Sequence, residues 1–453
     1  MRLPTCLDYL LLRGLSEIEI RRNLGYMNAR EVALRGLYEI DVNGAYLNIV
    51  LKNSIDDVDA RDRGLFTELL YGVVENKIAI DYIISSYSKI RLKKISPWVL
   101  NILRMGIFQI YYMDKIPHNA ICNEAVKLAK KYSHKAGCGF VNGLLRNFSR
   151  EKENFAFPET ENKEEELSLK FSYPLWFTKR IIKEYGAERC EELYKENARV
   201  HSPVLRVNTL KTDTSALVEI LRGEGVDCEE IKKPINCVRV NGSLNVNKSK
   251  AYSEGCFSLQ NISSQLAVDV LDPQEGETII DMCAAPGGKS CAIAERMKNK
   301  GKIISFDIFE HKTELINKSA KRLGIDIIDA KVSDSTLLDK DLICSADRVL
   351  ADVPCSGFGV IHKKPDIKYS RKEEDIDGIV EIQRKILNNS AEYVKPGGVL
   401  LYSTCTILPE ENRLRIEEFL SEHKNYTKVF EKQILTSEMG ESGFYICKMV
   451  KEK

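Results

Sequence analysis

The alternation of short apolar runs with helical segments beyond residue 255 constrains the fold more than any other feature of this sequence. Four apolar runs each lead into a loop of small or acidic residues: 278–282, 302–306, 348–351 and 399–402. Short strands alternating with helices predict a doubly wound parallel sheet, whose ligand binds at the carboxyl ends of the strands. We therefore expect an α/β Rossmann-like domain over residues 255–453.

Residues 27–150 show helical periodicity instead. Ser96 and Pro97 are typical of a helix start, with an N-cap residue followed by proline in the first turn. Apolar residues then follow at helical spacing, namely Leu100, Leu103, Ile107 and Ile110. The pattern predicts a separate all-α domain.

Within that helical stretch, residues 85–150 carry twelve Lys and Arg against two acidic residues. Four of the lysines lie close together: Lys127, Lys130, Lys131 and Lys135. Most charge runs are solvated helix faces. An excess this large over so short a span favours a surface that binds phosphate groups.

Two different stretches lie between these domains. Residues 151–166 contain seven Glu, two Lys and a proline without apolar periodicity, which predicts an acidic linker. Residues 167–254 mix helical stretches with short strands, which predicts a small α+β module. A length of 453 residues agrees with several domains, because one hydrophobic core seldom grows so large.

The composition argues against several classes of protein. The 13 cysteines are odd in number and form no CxxC pair, so we expect a reducing compartment, no disulfide framework and no metal. No apolar run is long enough to cross a bilayer, and the short run at 10–12 is closely followed by Arg13 and Glu17. We expect a cytoplasmic protein without a membrane partner. The net charge of +1 averages over the domains and hides local patches.

A glycine-containing turn follows the first strand of the C-terminal domain, at residues 281–289. Its small residues let the backbone approach a ligand, and the next helix offers free N–H groups. The pattern is neither a Walker motif nor GxGxxG, so it does not predict a dinucleotide. Asp307 ends the second strand, where a carboxylate can accept both ribose hydroxyls of a nucleoside.

Two cysteines come just after the third and fourth strands. Cys355 follows Asp352, and Cys405 lies in the segment YSTCT. Either cysteine alone would more often be a small buried apolar residue, but two at the ligand-binding edge of one sheet favour chemistry. A thiolate that adds to C6 of a pyrimidine makes C5 nucleophilic, and a nearby carboxyl group such as Asp352 stabilises the charge on the ring.

With these motifs the chain resembles the bacterial Sun/Fmu 16S ribosomal RNA (cytosine-5)-methyltransferases, which are related to the eukaryotic nucleolar Nop/Sun group. The motifs are CAAPGGK (283–289), DVPCSG (352–357), STC (403–405), KKPDI (363–367), LPEEN (408–412), LRVN (205–208) and QNISSQ (260–265). The N-terminal third resembles the antitermination factor NusB in GLFTELLYGVV, IDYII, PWVLNILRMGIFQIYYMDKIP, NEAVKLAKKY and GFVNGLLRN. Together the two resemblances cover nearly everything after Met27.

The resemblance implies a class I methyltransferase domain that uses S-adenosylmethionine and no metal. It implies that Cys405 attacks the base, that Cys355 assists product release, that Asp352 stabilises the base and that Lys289 lies near it. The implied cofactor contacts are Cys283, Ala284, Ala285, Pro286, Gly287, Gly288, Lys289, Asp307, Asp334 and Asp352.

The implied substrate is a specific cytosine of 16S rRNA, methylated on C5 through a covalent adduct between cysteine and C6. The RNA is expected to be free of, or partly assembled with, small-subunit proteins, and the enzyme to be a monomer. The implied domains are an unassigned extension (1–26), a NusB-like RNA-binding domain (27–150), the acidic linker (151–166), an RNA-recognition-like module (167–254) and the methyltransferase domain (255–453).

Three features depart from the family pattern. Residues 1–26 match nothing in it, and we expect them to be a translation-start artefact or a dispensable extension. SDST (333–336) stands where GDA or GDG is common, which puts Asp334 in doubt. His362 stands where Arg is more common, which would weaken one phosphate contact.

Three other functions are compatible with parts of the sequence. An RNA-binding protein with an inactive transferase domain would require the loss of a chemical residue, and none is missing. Methylation of an amino nitrogen usually goes with an Asn/Asp-Pro-Pro-aromatic turn, whereas this chain has DVPC. The same C5 chemistry on a tRNA or another rRNA site stays open, although the NusB-like domain favours the small-subunit target.

Overall fold

The computed structural model describes residues 27–158, 160, 162–199, 201–233, 235–242, 244–439 and 442–453. The predicted extension at 1–26 lies outside these residues. The chain divides into two compact units, one with the described residues up to Ile182 and Lys364–Ser370, the other with Lys183–Lys363 and Arg371–Lys453. This division differs from the predicted domain boundaries, which stay predictions.

The first unit is all-helical, as the sequence predicts for 27–150. Its helices are α1 (Ala29–Asn43), α2 (Leu47–Ser54), α3 (Arg63–Glu75), α4 (Lys77–Tyr87), α5 (Pro97–Tyr112), α6 (His118–Tyr132), α7 (Lys135–Glu151) and α8 (Lys163–Lys170). Helix α9 (Leu175–Tyr185) contains the boundary between the units. The predicted start of α5 is confirmed, since the Ser96 side chain accepts a hydrogen bond from the N–H of Val99. Buried apolar side chains of these helices, such as Leu34, Phe66 and Ile102, form one core.

The acidic segment 151–166 is not the simple linker that its composition predicts. Helix α8 begins inside it, and Asn162 caps this helix by accepting a 3.0 Å hydrogen bond from a first-turn N–H. Glutamates in the first turn of α8 interact favourably with the helix dipole. Phe155 and Phe157 pack their rings 5.9 and 6.0 Å from that of Tyr111. Composition alone does not indicate these two apolar anchors or the N-cap, and the bounds of the linker stay a prediction.

The segment Lys364–Ser370, which overlaps the KKPDI motif, also packs in the first unit. It includes a helical turn at Ile367–Ser370. Lys368 is buried and donates hydrogen bonds to the carbonyl oxygens of Glu75 (3.1 Å) and Phe171 (3.4 Å). Burial lowers the pKa of Lys368 to about 8. The sequence does not predict this packing, because the residues on both sides of Lys364–Ser370 belong to the second unit.

The second unit begins with a small α+β module, as predicted. After helix α10 (Ala187–Asn197) come strands β1 (Val204–Val207), β2 (Cys228–Ile231), β3 (Cys237–Val240) and β4 (Phe257–Leu259), with helices α11 (Thr214–Gly223) and α12 (Lys250–Ser253). The strands form an antiparallel sheet in the order β2-β3-β1-β4. Leu217 and Leu221 of α11 pack on buried strand residues such as Leu205.

The larger sheet of this unit has seven strands. They are β5 (Thr278–Asp281), β6 (Lys302–Asp307), β7 (Ile328–Val332), β8 (Ala346–Asp352), β9 (Val394–Thr404), β10 (Tyr426–Ile434) and β11 (Phe444–Lys451). The helices around them are α13 (Ile262–Leu271), α14 (Gly288–Arg296), α15 (Glu310–Leu323), α16 (Asp375–Tyr393), α17 (Arg413–Glu422) and α18 (Thr436–Met439). None of the helices in the described part of the chain is long and apolar enough to cross a bilayer.

The strand order, β10-β11-β9-β8-β5-β6-β7, puts the four predicted strands side by side and parallel. Strands β10 and β11 add an antiparallel hairpin beside β9, so the sheet is mixed and not wholly parallel as predicted. The order of the parallel strands reverses at β5, because β6 and β7 follow on one side of it and β8 and β9 on the other. Ligands of such sheets bind at the carboxyl ends of the strands at this switch point.

Candidate active site

The turn after β5 brings the backbone close to helix α15. Gly287 has φ +95°, and a Cβ atom there would lie 3.1 Å from the Cα of Ile316. A residue with a side chain would therefore be strained both by its backbone conformation and by this contact. Helix α14 begins at Gly288, so its N-terminal N–H groups follow the turn directly.

A cavity of about 570 Å³ lies beside this turn. Five residues predicted from the sequence line it: Cys283, Ala285, Asp307, Asp334 and Asp352. The remaining predicted cofactor residues, Ala284, Pro286, Gly287, Gly288 and Lys289, belong to the same turn but are not among the lining residues. The roles of all these residues stay predictions.

The acidic residues of the cavity are held by short local contacts. The Asp307 carboxylate accepts a 3.2 Å hydrogen bond from the N–H of Phe309, and the Nζ of Lys312 lies 3.7 Å away. The carboxylate of Asp334 accepts hydrogen bonds from both the N–H (2.9 Å) and the hydroxyl (2.7 Å) of Thr336. SDST is therefore an ordered turn at the cavity, although it departs from the family pattern.

The apolar wall of the cavity is not predicted by the sequence motifs. Ile308 comes after β6, and Ile382 and Ile386 lie one turn apart on α16. The spacing of Ile382 and Ile386 predicts only that they share one face of a helix. Which surface this face contacts depends on how the helix packs against the sheet. Such a wall suits the flat apolar face of a purine, and the acidic residues that also line the cavity suit ribose hydroxyls. The residues present thus fit an adenosine-containing methyl donor.

A buried acid lies beneath the turn. Asp281, the last residue of β5, is 1% exposed and accepts a 2.6 Å hydrogen bond from the hydroxyl of Ser290. Burial raises the pKa of Asp281 to about 7.

Lys289 and Asp352 form an ion pair, with 2.6 Å between Nζ and Oδ2. The hydroxyl of Ser403 donates to the other oxygen of Asp352 at 2.8 Å. Burial disfavours the charged form of Lys289, but the charge of Asp352 outweighs this effect and raises the pKa of the lysine. Lys289 therefore holds a positive charge next to the carboxylate.

Cys355 and Cys405 are brought together as the sequence predicts. Asp352 of β8 pairs with Ser403 of β9, and the two Sγ atoms beyond these strand ends lie 3.1 Å apart. The hydrogen bond from Cys355 lowers the pKa of Cys405, and the same bond raises the pKa of Cys355. One thiol is thus favoured as the thiolate and the other as the proton donor.

The loop after Cys355 packs tightly on the backbone of Cys405. The N–H of Gly359 donates to the carbonyl oxygen of Cys405 at 2.9 Å. A Cβ atom at Gly359 would lie 2.7 Å from that oxygen and 2.0 Å from the carbonyl oxygen of Gly443. Only glycine fits at this position.

His362 lies further along the same loop. Its ring centroid is 4.5 Å from that of His201, and burial lowers the pKa of His362 to about 3. His362 is therefore neutral and supplies no positive charge for a phosphate contact.

Comparison with known proteins agrees with this architecture. Residues 268–448 match the family described as 16S rRNA methyltransferase RsmB/F, residues 27–150 match the NusB family, and residues 173–247 match the ferredoxin-like domain of RsmF/B-like methyltransferases.

Relatives align over almost the whole chain. The probable ribosomal RNA small subunit methyltransferase B of Bacillus subtilis is 38% identical, over 94% of this chain and 99% of its own length. The ribosomal RNA small subunit methyltransferase B of Photorhabdus laumondii is 30% identical over the same shares. The crystal structure of PH0851 is 26% identical, with a TM-score of 0.78 over 94% of this chain and 99% of that one. The resemblance and the fold class predicted from the sequence are thereby confirmed.

Proposed function

Because the chain belongs to the RsmB/F family of 16S rRNA methyltransferases, we propose that it methylates C5 of a cytosine in small-subunit ribosomal RNA. The methyl group comes from S-adenosylmethionine, and Cys405 forms a covalent adduct with C6 of the base. The observation that carries the proposal is the pair of thiols 3.1 Å apart at the ends of β8 and β9.

The thiol pair suits C5 chemistry because this carbon is too weak a nucleophile to attack a sulfonium methyl group unaided. Addition of the Cys405 thiolate to C6 pushes electron density onto C5, which then takes the methyl group. Loss of the C5 proton to a base then expels the Cys405 thiolate and restores the aromatic ring. A lowered pKa of Cys405 favours the attacking thiolate.

The coupling between the two sulfur atoms supports different roles at different times. The hydrogen bond to Cys405 is the main cause of the raised pKa of Cys355. Once the Cys405 sulfur is bound to carbon, it no longer carries the charge that holds this proton. The pKa of Cys355 then falls, so that Cys355 can give its proton to solvent and, as the thiolate, assist by accepting the C5 proton.

Asp352 and Lys289 support the pyrimidine ring and the donor site in this proposal. Asp352 lines the cavity and also accepts a hydrogen bond from Ser403, two residues before Cys405. A carboxyl group there is suited to N3 and N4 of the cytosine as charge builds up on the ring. Lys289 fixes that carboxylate through the 2.6 Å ion pair.

The NusB-like helices are proposed to bind RNA phosphates. Among the clustered lysines, Lys127 is paired with Glu124 and Lys131 with Glu31, both at 2.7 Å. The exposed side chains that remain for phosphates along α6 and α7 include Lys130, Lys135, Arg146 and Arg150. A groove lined by Lys130 and Arg146 lies on this surface.

The two thiols provide the test. Purified variants are incubated with S-adenosylmethionine and 16S rRNA, and adducts are detected by denaturing electrophoresis. Cys405→Ala should form neither 5-methylcytosine nor adduct, whereas Cys355→Ala should methylate and then accumulate the adduct. Cys344→Ala, which removes an exposed thiol of the same unit, serves as the matched control and should behave as wild type.

Two results would overturn the proposal. Unchanged turnover of both variants would exclude covalent catalysis by these residues, and adduct in Cys405→Ala but not in Cys355→Ala would reverse their roles. Bisulfite sequencing of rRNA and tRNA from a deletion strain then identifies the modified RNA. A missing 5-methylcytosine in tRNA alone would contradict the ribosomal target.

A further inference from the structure

A fully buried carboxyl group lies behind the two thiols. Glu411 is 0% exposed and lies in the LPEEN motif, six residues after Cys405. Its carboxylate accepts hydrogen bonds from the N–H (2.9 Å) and the hydroxyl of Ser356 and from the side-chain amide of Gln383 (2.9 Å). Three donors thus converge on the buried side chain of Glu411, to which the sequence motifs assign no role.

This carboxylate connects the loops that hold the two cysteines. Ser356 directly follows Cys355, and its hydroxyl also lies 2.8 Å from the hydroxyl of Thr406, which directly follows Cys405. Gln383 additionally donates to the carbonyl oxygen of Pro354 at 3.0 Å. The residues on both sides of Cys355 are therefore bound to the Glu411–Gln383 pair.

The two loops do not depend equally on Glu411. The Cys405 side has a second support, because the Asn412 amide donates to the carbonyl oxygen of Thr406 (3.1 Å) and its oxygen accepts from the Thr404 hydroxyl (2.5 Å). Loss of Glu411 would therefore release the Cys355 loop more than the Cys405 loop.

A buried carboxyl group is an electrostatically unfavourable support for a loop. Within the described part of the chain, Glu411 forms no ion pair, and the main causes of its pKa shift include no Lys, Arg or His. Burial raises the pKa of Glu411, against the effect of the Ser356 and Gln383 donors. A buried carboxyl group without a cationic partner costs stability, so a function is a better explanation than stability.

We propose that Glu411 is a positioning residue for product release, which holds Cys355 against the sulfur of Cys405. This inference rests on the proposed covalent mechanism. Glu411 touches neither the base nor the methyl donor; it acts through Ser356 on the geometry of the neighbouring thiol. Its removal should slow attack by Cys405 less than the steps that need Cys355, because the charge of Lys289 still lowers the pKa of Cys405.

Glu411→Gln in the full-length chain tests this, because glutamine keeps the shape of the side chain but offers one acceptor where three donors converge. Single-turnover methyl transfer should fall by less than about threefold, whereas multiple turnover should fall by about tenfold or more, with adduct accumulating. Glu417→Gln is the matched control on an exposed site of α17 and should leave both rates unchanged.

A double-mutant cycle separates positioning from general loosening of the fold. If Glu411 acts through Cys355, Glu411→Gln should not slow release further in a Cys355→Ala background. The proposal would be overturned if the two substitutions slowed release additively in the double variant. It would also be overturned if Glu411→Gln reduced the single-turnover and multiple-turnover rates equally. Ser356→Ala offers a second measurement should Glu411→Gln fold poorly, and wild-type release in this variant would also overturn it. Failure of the covalent mechanism itself would be recognised separately, as the absence of any adduct in Cys355→Ala alone.

Discussion

Replacing Arg206 by alanine should destabilise the second unit far more than removal of an ordinary surface ion pair. Arg206, in the LRVN motif on β1, binds Glu295 of α14 through two 2.9 Å hydrogen bonds. The two side chains are only 7% and 4% exposed. Arg206 also donates to Gln260 at 2.6 Å and to the carbonyl oxygen of Gly288, at the start of α14.

The magnitude follows from the burial of this pair. Attraction between unit charges 2.9 Å apart is about 6 kcal/mol at an effective dielectric constant of 20, and most of it offsets the cost of desolvation. Arg206→Ala leaves a buried carboxylate without its cation, which costs about 3–5 kcal/mol. Burial already raises the pKa of Glu295 despite Arg206, so the variant should protonate this residue more readily.

The sign of the pH dependence follows from the raised pKa of Glu295. When the pKa of a carboxyl group is higher in the folded than in the unfolded protein, the free energy of unfolding decreases as the pH rises from the unfolded-state pKa to the folded-state pKa. The destabilisation by Arg206→Ala should therefore be smaller at pH 5 than at pH 8.

Urea unfolding of the full-length chain at both pH values measures the effect. Arg296→Ala is the matched control, because Arg296 lies on the same helix in an exposed ion pair with Asp269, and its loss should cost less than about 1 kcal/mol. Equal costs for the two variants would refute the reasoning. So would a double variant, Arg206→Met with Glu295→Met, that is no more stable than Arg206→Ala.

Three further predictions concern the donor site, the nucleophile and the RNA. Asp307→Ala should raise the dissociation constant of S-adenosylmethionine by about tenfold or more in calorimetry, since charge-assisted hydrogen bonds to the ribose are lost; unchanged affinity would remove Asp307 from the ribose site. Iodoacetamide should alkylate Cys405 with a midpoint at higher pH in Cys355→Ala than in wild type, because the donor that lowers the pKa of Cys405 is gone; an unshifted midpoint would show that Cys355 does not activate it. Replacing Lys130 and Arg146 together by alanine should reduce the slope of log affinity against log salt by about 1.5, and an unchanged slope would place the RNA elsewhere.

Local sequence signals were sufficient for several elements. Ser96 with Pro97 predicted the start of α5, and the four apolar runs of the C-terminal domain predicted β5, β6, β8 and β9. Caps, proline positions and apolar periodicity act within a few residues, so they can be read without knowledge of the rest of the chain.

Local signals failed where partners lie far apart in the sequence. The hairpin β10–β11 pairs with β9, and no short-range pattern places two antiparallel strands at the edge of a parallel sheet. Phe155 and Phe157 find their aromatic partner more than forty residues upstream, at Tyr111. The sequence does not show which acidic residue pairs with Lys131, because its partner Glu31 lies one hundred residues away.

The sequence by itself determined which residues could do chemistry. Cys355, Cys405, Asp352 and the 283–289 turn stand out because each follows an apolar run, and the ends of parallel strands meet at one edge. Only the tertiary structure decided how they lie relative to one another. The 3.1 Å separation of the sulfur atoms, with the opposite pKa shifts that result, and the buried Glu411 behind them depend on distances across the sheet. Such distances arise from packing between elements, and packing is a property of the whole fold, which no short stretch of sequence encodes.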